Sequence, residues 1–196
     1  MRILALGTNH QLIESNFAGH AVFRTENKLE LDEIARLKPD IMVSFGYRHI
    51  LKREALEYVN WRAVNLHISL LPWGRGADPN LWSWLEHTPK GVSLHWIDEG
   101  LDSGDLVAQR EVALDANLNL DQTYEILHEK LAQLFADCWE ALASGSAPRI
   151  QQPAIAGSYH RAADKLDHLA AIPQGWQTPC SSVEAYGRLH GLWVCQ

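Results

Sequence analysis

The sequence predicts an α/β fold, a mostly parallel β-sheet followed by a short helical tail. Three observations carry the prediction. Short apolar runs of strand length alternate with stretches whose apolar residues fall at helical spacing. Glycine, asparagine or proline closes many of those runs, and these residues interrupt regular structure. Beyond Pro148 the alternation breaks up and only short helical stretches remain.

Residues 2–6 (RILAL) read as a buried first strand running into the turn Gly7-Thr8-Asn9. Ala21-Val22-Phe23 is a second short apolar run. Leu29, Leu31, Ile34, Ala35 and Leu37 sit near helical spacing, and Pro39 ends that helix. Residues 41–45 read as a strand closed by Gly46, 52–58 as a short helix and 63–69 as another strand. Leu81 to Leu85 belong to a helix opened by Asp78-Pro79, where aspartate is expected to cap and proline suits the first turn. Residues 92–97 and 106–112 predict two more strands. The stretch 120–143 is the longest helix, ending at Ser144-Gly145. In the tail, 163–171 and 183–189 predict short helices. No internal repeat is visible. Strands joined through helices favour parallel neighbours with right-handed crossovers.

At 196 residues the chain is expected to form one domain plus an appendage, divided at 1–147 and 148–196. Apolar residues make up 46% and charged residues 21%, as in ordinary globular proteins. The net charge of −7 opposes binding to nucleic acid or to an anionic membrane, since both demand neutralisation of phosphate. No apolar stretch is long enough to span a bilayer, and the N-terminal apolar run is too short for a signal-peptide core. Cys138, Cys180 and Cys195 are widely spaced and fit neither a zinc ribbon nor a disulfide scaffold. The expectation is a cytoplasmic protein with reduced thiols. The 8 tryptophans suit a packed core and a ligand pocket equally.

The sharpest chemical signal lies in 63–69. Side chains alternate along a strand, so Val64, Leu66 and Ile68 share one face while Asn65, His67 and Ser69 share the other. A polar face on an otherwise apolar strand needs partners or a cleft, and the carboxyl ends of such strands are where open α/β sheets bind ligands. The alternative is a hydrogen-bonded core histidine. A second signal is the acidic loop 98–105 (DEGLDSGD). It lacks the ligand spacing of a calcium loop, because Gly100, Ser103 and Gln109 stand where ligands or the invariant glycine would be. If a crossover sets the two strand ends side by side, one of its carboxylates meets His67; otherwise it is a solvated turn.

An asparagine amide and a protonated histidine can both donate to an oxyanion, and a carboxylate can take a proton. That set suits acyl transfer to an amine. No nucleophile elbow G-x-S-x-G and no H-E-x-x-H occurs, and Gly74-Arg75-Gly76 is a weak phosphate cradle.

Four segments, 65–72 (NLHISLLP), 76–79 (GADP), 91–95 (GVSLH) and 101–106 (LDSGDL) with Gln109, together resemble the 10-formyltetrahydrofolate-dependent formyltransferases. The likeness covers about residues 37–160. The resemblance implies a Rossmann-like fold, residues 1–147 as the formyltransferase domain, and the tail packing on or near the active site. It implies a catalytic set of Asn65, His67 and Asp102, with Asp102 orienting His67 and accepting the proton of the attacking amine. It places the pterin of 10-formyltetrahydrofolate near Phe45, Gly46, Tyr47, His49, Ile50 and Leu51 and near Asp98 and Gly100, held largely by backbone groups; a plain surface turn is the alternative for 47–49. No metal is implied.

The interval between the first strand and the strand at 41–45 is shorter than in the family, which leaves the acceptor open. The single glycine of Gly7-Thr8-Asn9 argues against glycinamide ribonucleotide, and the short tail and acidic charge against tRNA. A small amine remains, best a nucleotide-linked amino sugar. Trp73, Arg75, Gly76 and Tyr159 are its candidate contacts, with Trp82 and Trp84 either stacking on it or packing their helix. A homodimer is left open. The rival readings are a 10-formyltetrahydrofolate hydrolase, a glycinamide ribonucleotide formyltransferase and a non-catalytic folate or nucleotide-sugar binder.

Overall fold

The structure, a computed structural model, describes residues 1–194. Cys195 lies outside the described residues. The strands are β1 (Arg2–Leu6), β2 (Ala21–Thr25), β3 (Ile41–Phe45), β4 (Ala63–His67), β5 (Arg75–Gly76), β6 (Gly91–Trp96), β7 (Leu106–Glu111) and β8 (Tyr159–His160). The helices are α1 (Leu31–Leu37), α2 (Arg53–Tyr58), α3 (Pro79–Leu85), α4 (Leu120–Ser144) and α5 (Cys180–Leu189). Six strands form one sheet in the order β2-β1-β3-β4-β6-β7, and β5 pairs with β8 in a second, two-stranded sheet.

The strands β2, β1, β3 and β4 are parallel, as the alternation predicts. The link between β1 and β2 is a 3-10 stretch, Asn9–Phe17, in place of a full α-helix. β6 departs from expectation: it runs antiparallel to β4, with Val64 opposite Trp96 and His67 opposite Ser93. The loop after β6 therefore leaves from the N-terminal end of β4, not from its carboxyl end.

The described chain divides into two compact units. The first comprises Met1–His67, Ser93–Ala108 and Leu131–Gln152; the second comprises Ile68–Val92, Gln109–Lys130 and the described residues from Pro153 onward. In the first unit, Leu4, Leu6 and Met42 of the sheet pack with Ile34 of α1 and with Ala55, Leu56 and Val59 on or beside α2. Burying an aliphatic side chain of this size contributes about 1.5–3 kcal/mol. Phe17 meets Phe135 and Trp139 of α4 edge-on, at 6.0 and 5.2 Å between ring centroids.

In the second unit, Trp82, Trp84 and Leu85 of α3 pack with Leu120, Cys180 and Val183. Both tryptophans are core residues, so the packing alternative holds for them. Asp78 precedes α3 in a left-handed conformation (φ 53°) and makes no side-chain cap. Its carboxylate instead meets Lys165 Nζ at 2.9 Å. The tail stretch 164–171 is 3-10, interrupted at His168, and not an α-helix.

Candidate active site

Three polar residues form a row across the sheet of the first unit. Ser44 lies in register with Asn65, and Asn65 with His95. Ser44 and His95 are buried, His95 almost completely. Buried polar groups must pair, and these do. The Ser44 hydroxyl donates to Asn65 Oδ1 at 2.8 Å. With its oxygen thus committed, Asn65 turns its Nδ2 toward Asp102 Oδ1, 3.2 Å away, and toward His95 Nε2 at 3.3 Å. His95 Nδ1 donates to the Trp96 carbonyl at 2.8 Å, because a carbonyl only accepts. Its Nε2 is left to face Asn65 and Asp102 Oδ1, the latter at 3.4 Å.

His67, the last residue of β4, is buried and presents Nε2 to Asp102 Oδ2 at 3.8 Å. That is ion-pair distance, beyond a direct hydrogen bond and within the reach of one bridging water. Asp102 thus turns one oxygen to Asn65 and His95 and the other to His67, with its side chain 10% exposed. It sits in a left-handed backbone conformation, φ 50°. The loop from Ile97 to Asp105 carries it back over the sheet: Trp96 N donates to Asp105 O at 2.8 Å. A Cβ on Gly104 would run into the Trp96 carbonyl, so the return is possible only with glycine there.

The structure brings Asn65, His67 and Asp102 together, although the antiparallel β6 does so by a different route from the crossover that the sequence suggested. A desolvated carboxylate beside an imidazole and a carboxamide can accept a proton from an amine, while the imidazole and amide hydrogens can hold developing negative charge. Sequence reading missed Ser44 and His95 as members of this network, and it missed Gln152, whose side-chain Nε2 donates to the Asp102 carbonyl at 2.8 Å. The signal for His95 was present: Ser93 and His95 alternate with Val92, Leu94 and Trp96 just as the polar residues of β4 alternate with apolar ones.

The candidate folate residues of the first unit sit at the end of β3 and on the two loops after β3 and β6. Phe45 is buried at the end of β3. Gly46 has φ 74°, and a Cβ there would crowd Asn9 and Thr8. The Tyr47 hydroxyl accepts from Leu29 N at 3.0 Å and donates to Asn27 O at 2.8 Å, and burial raises its pKa. His49 meets the Tyr47 ring edge-on at 5.2 Å and is exposed. Ile50 is 70% exposed, whereas Leu51 is buried in the core. Asp98 accepts from Gly100 N at 3.0 Å and from Ser103 Oγ at 2.8 Å, shaping the loop rather than pointing away from it. Leu101, next to Asp102, is an exposed apolar residue that the sequence reading did not single out. Among the described residues no group of three or more histidine, cysteine, aspartate or glutamate side chains could hold a metal ion.

In the second unit, Arg75 and Gly76 pair in parallel with Tyr159 and His160. Gly74 N donates to Ser158 Oγ at 2.9 Å, and Ala77 N to His160 O at 2.9 Å. A Cβ on Gly76, at φ 89°, would strike the His160 carbonyl, which explains the glycine by the strand pairing itself. His160 stacks on Trp82 at 3.5 Å and contacts Glu86 at 2.7 Å. Tyr159 is half-exposed, and Trp73 lies in the turn before β5, partly buried.

A family profile described as "Formyl transferase" matches residues 9–138. The formyltransferase PseJ from Anoxybacillus kamchatkensis, whose structure was solved with UDP-4,6-dideoxy-4-formamido-L-AltNAc and tetrahydrofolate, is 39% identical; the match covers 95% of this chain and 100% of that one, with a TM-score of 0.87. A 4-N formyltransferase from Francisella tularensis, 19% identical over 94% of this chain and 86% of its own, shares the fold with a TM-score of 0.74. The methionyl-tRNA formyltransferase of Clostridioides difficile is 33% identical over 138 residues, 70% of this chain and 45% of that protein. The chain spans about half the length of the curated methionyl-tRNA formyltransferases it matches. With well over half of its residues inside the family profile, and with a 39% identical relative matched over 95% of this chain, the chain belongs to the formyltransferase family.

Proposed function

We propose that the chain is an N-formyltransferase that moves the formyl group of 10-formyltetrahydrofolate onto the amine of a nucleotide-linked amino sugar. The convergence of Asn65, His67 and Asp102 in one buried cluster carries this reading. The acceptor class is supported by the likeness to PseJ, which was solved with a UDP-linked formamido sugar and tetrahydrofolate.

The reaction forms an amide bond between the acceptor nitrogen and the formyl carbon and breaks the bond from that carbon to folate N10. Asp102 takes the proton that the attacking amine sheds. The His67 imidazole, 3.8 Å from the Asp102 carboxylate, and the Asn65 amide hold the oxyanion of the tetrahedral intermediate. The proton then passes to the departing N10. The folate is assigned to the loops around Gly46–Leu51 and Asp98–Asp102. The exposed side chains of Ile50 and Leu101 fit an apolar ring, and Phe45, Tyr47, His49 and Gly100 shape the two loops. Residues 148–196 act as a tail to the domain 1–147. Trp73, Arg75, Gly76 and Tyr159 are assigned to the acceptor.

The test incubates the chain with 10-formyltetrahydrofolate and a UDP-linked 4-amino sugar, with methionyl-tRNA, glycinamide ribonucleotide and water alone as competing acceptors. The expected outcome is tetrahydrofolate release coupled to formylation of the sugar. His67→Ala and Asp102→Ala should each lower kcat by about 100-fold or more with folding retained. Faster formylation of methionyl-tRNA, the acceptor named for the curated relatives, would overturn the sugar assignment. Formate release without an acceptor, outpacing transfer to any amine, would make the chain a hydrolase. Near-wild-type turnover in either variant would remove the catalytic assignment.

A further inference from the structure

We infer that Gln152 is a positioning residue for Asp102, acting from the start of the tail; the inference rests on the proposed role of Asp102. Its side-chain Nε2 donates at once to the carbonyl of Asp102 at 2.8 Å and to the carbonyl of Gly104 at 2.9 Å. A carboxamide nitrogen carries two hydrogens in one plane, so a single group spans both acceptors and fixes the spacing between them. A glutamate of the same size has no hydrogens to give.

The need for such a clamp follows from the backbone. Asp102 holds a left-handed conformation that a residue with a Cβ adopts only when its surroundings impose it. The loop's internal bonds secure its flanks: Asp98 is tied to Gly100 and Ser103, and Asp105 to Trp96. Gln152 grips the peptide of Asp102 itself. The segment that brings Gln152 there is fastened along the same loop. Trp96 Nε1 donates to Pro148 O at 2.8 Å, Arg149 lies over the Trp96 ring at 4.1 Å, and Leu106 and Ile150 exchange backbone bonds at 2.7 and 2.9 Å. The segment 148–152 is thus a strap along the Asp102 loop, and Gln152 is the point at which it reaches the carboxylate's own residue. A loop free to relax toward ordinary backbone angles would swing the Asp102 oxygens away from His67 and from Asn65 Nδ2.

The experiment compares Gln152→Ala and Gln152→Glu with Arg149→Ala, which loosens the strap without touching the Asp102 peptide. Steady-state kinetics are read beside the side-chain amide resonances of Asn65 in nitrogen-15 labelled protein. Both Gln152 variants should lose about 10- to 100-fold in kcat with the KM for 10-formyltetrahydrofolate within about threefold, and should shift the Asn65 resonances. Arg149→Ala should lower the Tm while leaving kcat and those resonances in place. Wild-type kcat and unshifted Asn65 resonances in both Gln152 variants would overturn the inference, as would an equal kcat loss in Arg149→Ala. The resonance readout needs no turnover. A wild-type chain that formylates nothing sinks the proposed function, while an Asn65 shift still reports whether Gln152 sets the geometry of Asp102.

Discussion

Ser44, Asn65 and His95 come from three different strands and meet in one buried row, and each fixes the next. The serine hydroxyl decides which way the asparagine amide faces, and the amide decides what Asp102 meets. His128 shows a different effect of burial. It is buried beside the Tyr124 ring, and desolvation lowers its pKa from 6.5 to about 4. Below pH 6.5 the unfolded chain takes up a proton on this residue that the folded chain refuses. The stability tied to His128 is therefore complete above pH 6.5 and is lost as the pH falls toward 4. His128→Leu should flatten that part of the Tm-versus-pH curve; an unchanged slope between pH 6.5 and 4 would contradict the assignment. Cys180, deeper in the same unit, is affected in the same direction as any buried acid, its thiol pushed up by desolvation.

At the scale of elements, α3 and α5 approach so closely that a Cβ on Gly187 would meet the Leu85 carbonyl oxygen. Two effects oppose each other in Gly187→Ala. Helix propensity favours alanine by about 1 kcal/mol, whereas forcing atoms into a packed contact costs about 1–3 kcal/mol. The obstructing atom belongs to a backbone and cannot swing aside, so the clash should prevail and the variant should unfold at lower urea than wild type. Greater stability would show that the helices separate without loss. Most elements were legible in the sequence: β1, β3, α1 and α4 follow from apolar runs or apolar spacing and from proline or glycine at their ends, and α2 falls within the predicted short helix 52–58. The direction of β6 was not. The connection 68–90 is long enough to return the chain either way, and side-chain alternation is the same for a parallel and an antiparallel neighbour. The 3-10 form of 164–171 was equally hidden, since apolar spacing over so few residues does not separate it from an α-helix.

For the whole molecule, the proposed folate site makes a prediction independent of chemistry. A ligand that binds only the folded chain raises stability by RT ln(1 + [L]/Kd), about 2.7 kcal/mol at 100-fold saturation. Tetrahydrofolate should raise the Tm in a concentration-dependent way, and the rise should persist in His67→Ala; a Tm indifferent to tetrahydrofolate would argue against folate binding. No helix among the described residues is long and apolar enough to cross a membrane. The sequence by itself determined the α/β class, most strand and helix positions and the identity of three candidate site residues, because period, glycine and proline placement and polar residues on an apolar strand are local properties of the chain. Only the tertiary structure decided that β6 runs backward, that Ser44 and His95 flank Asn65, and that Gln152 reaches the Asp102 peptide. Those facts depend on strand order and on residues far apart in the chain finding complementary hydrogen-bond geometry, which no local pattern encodes.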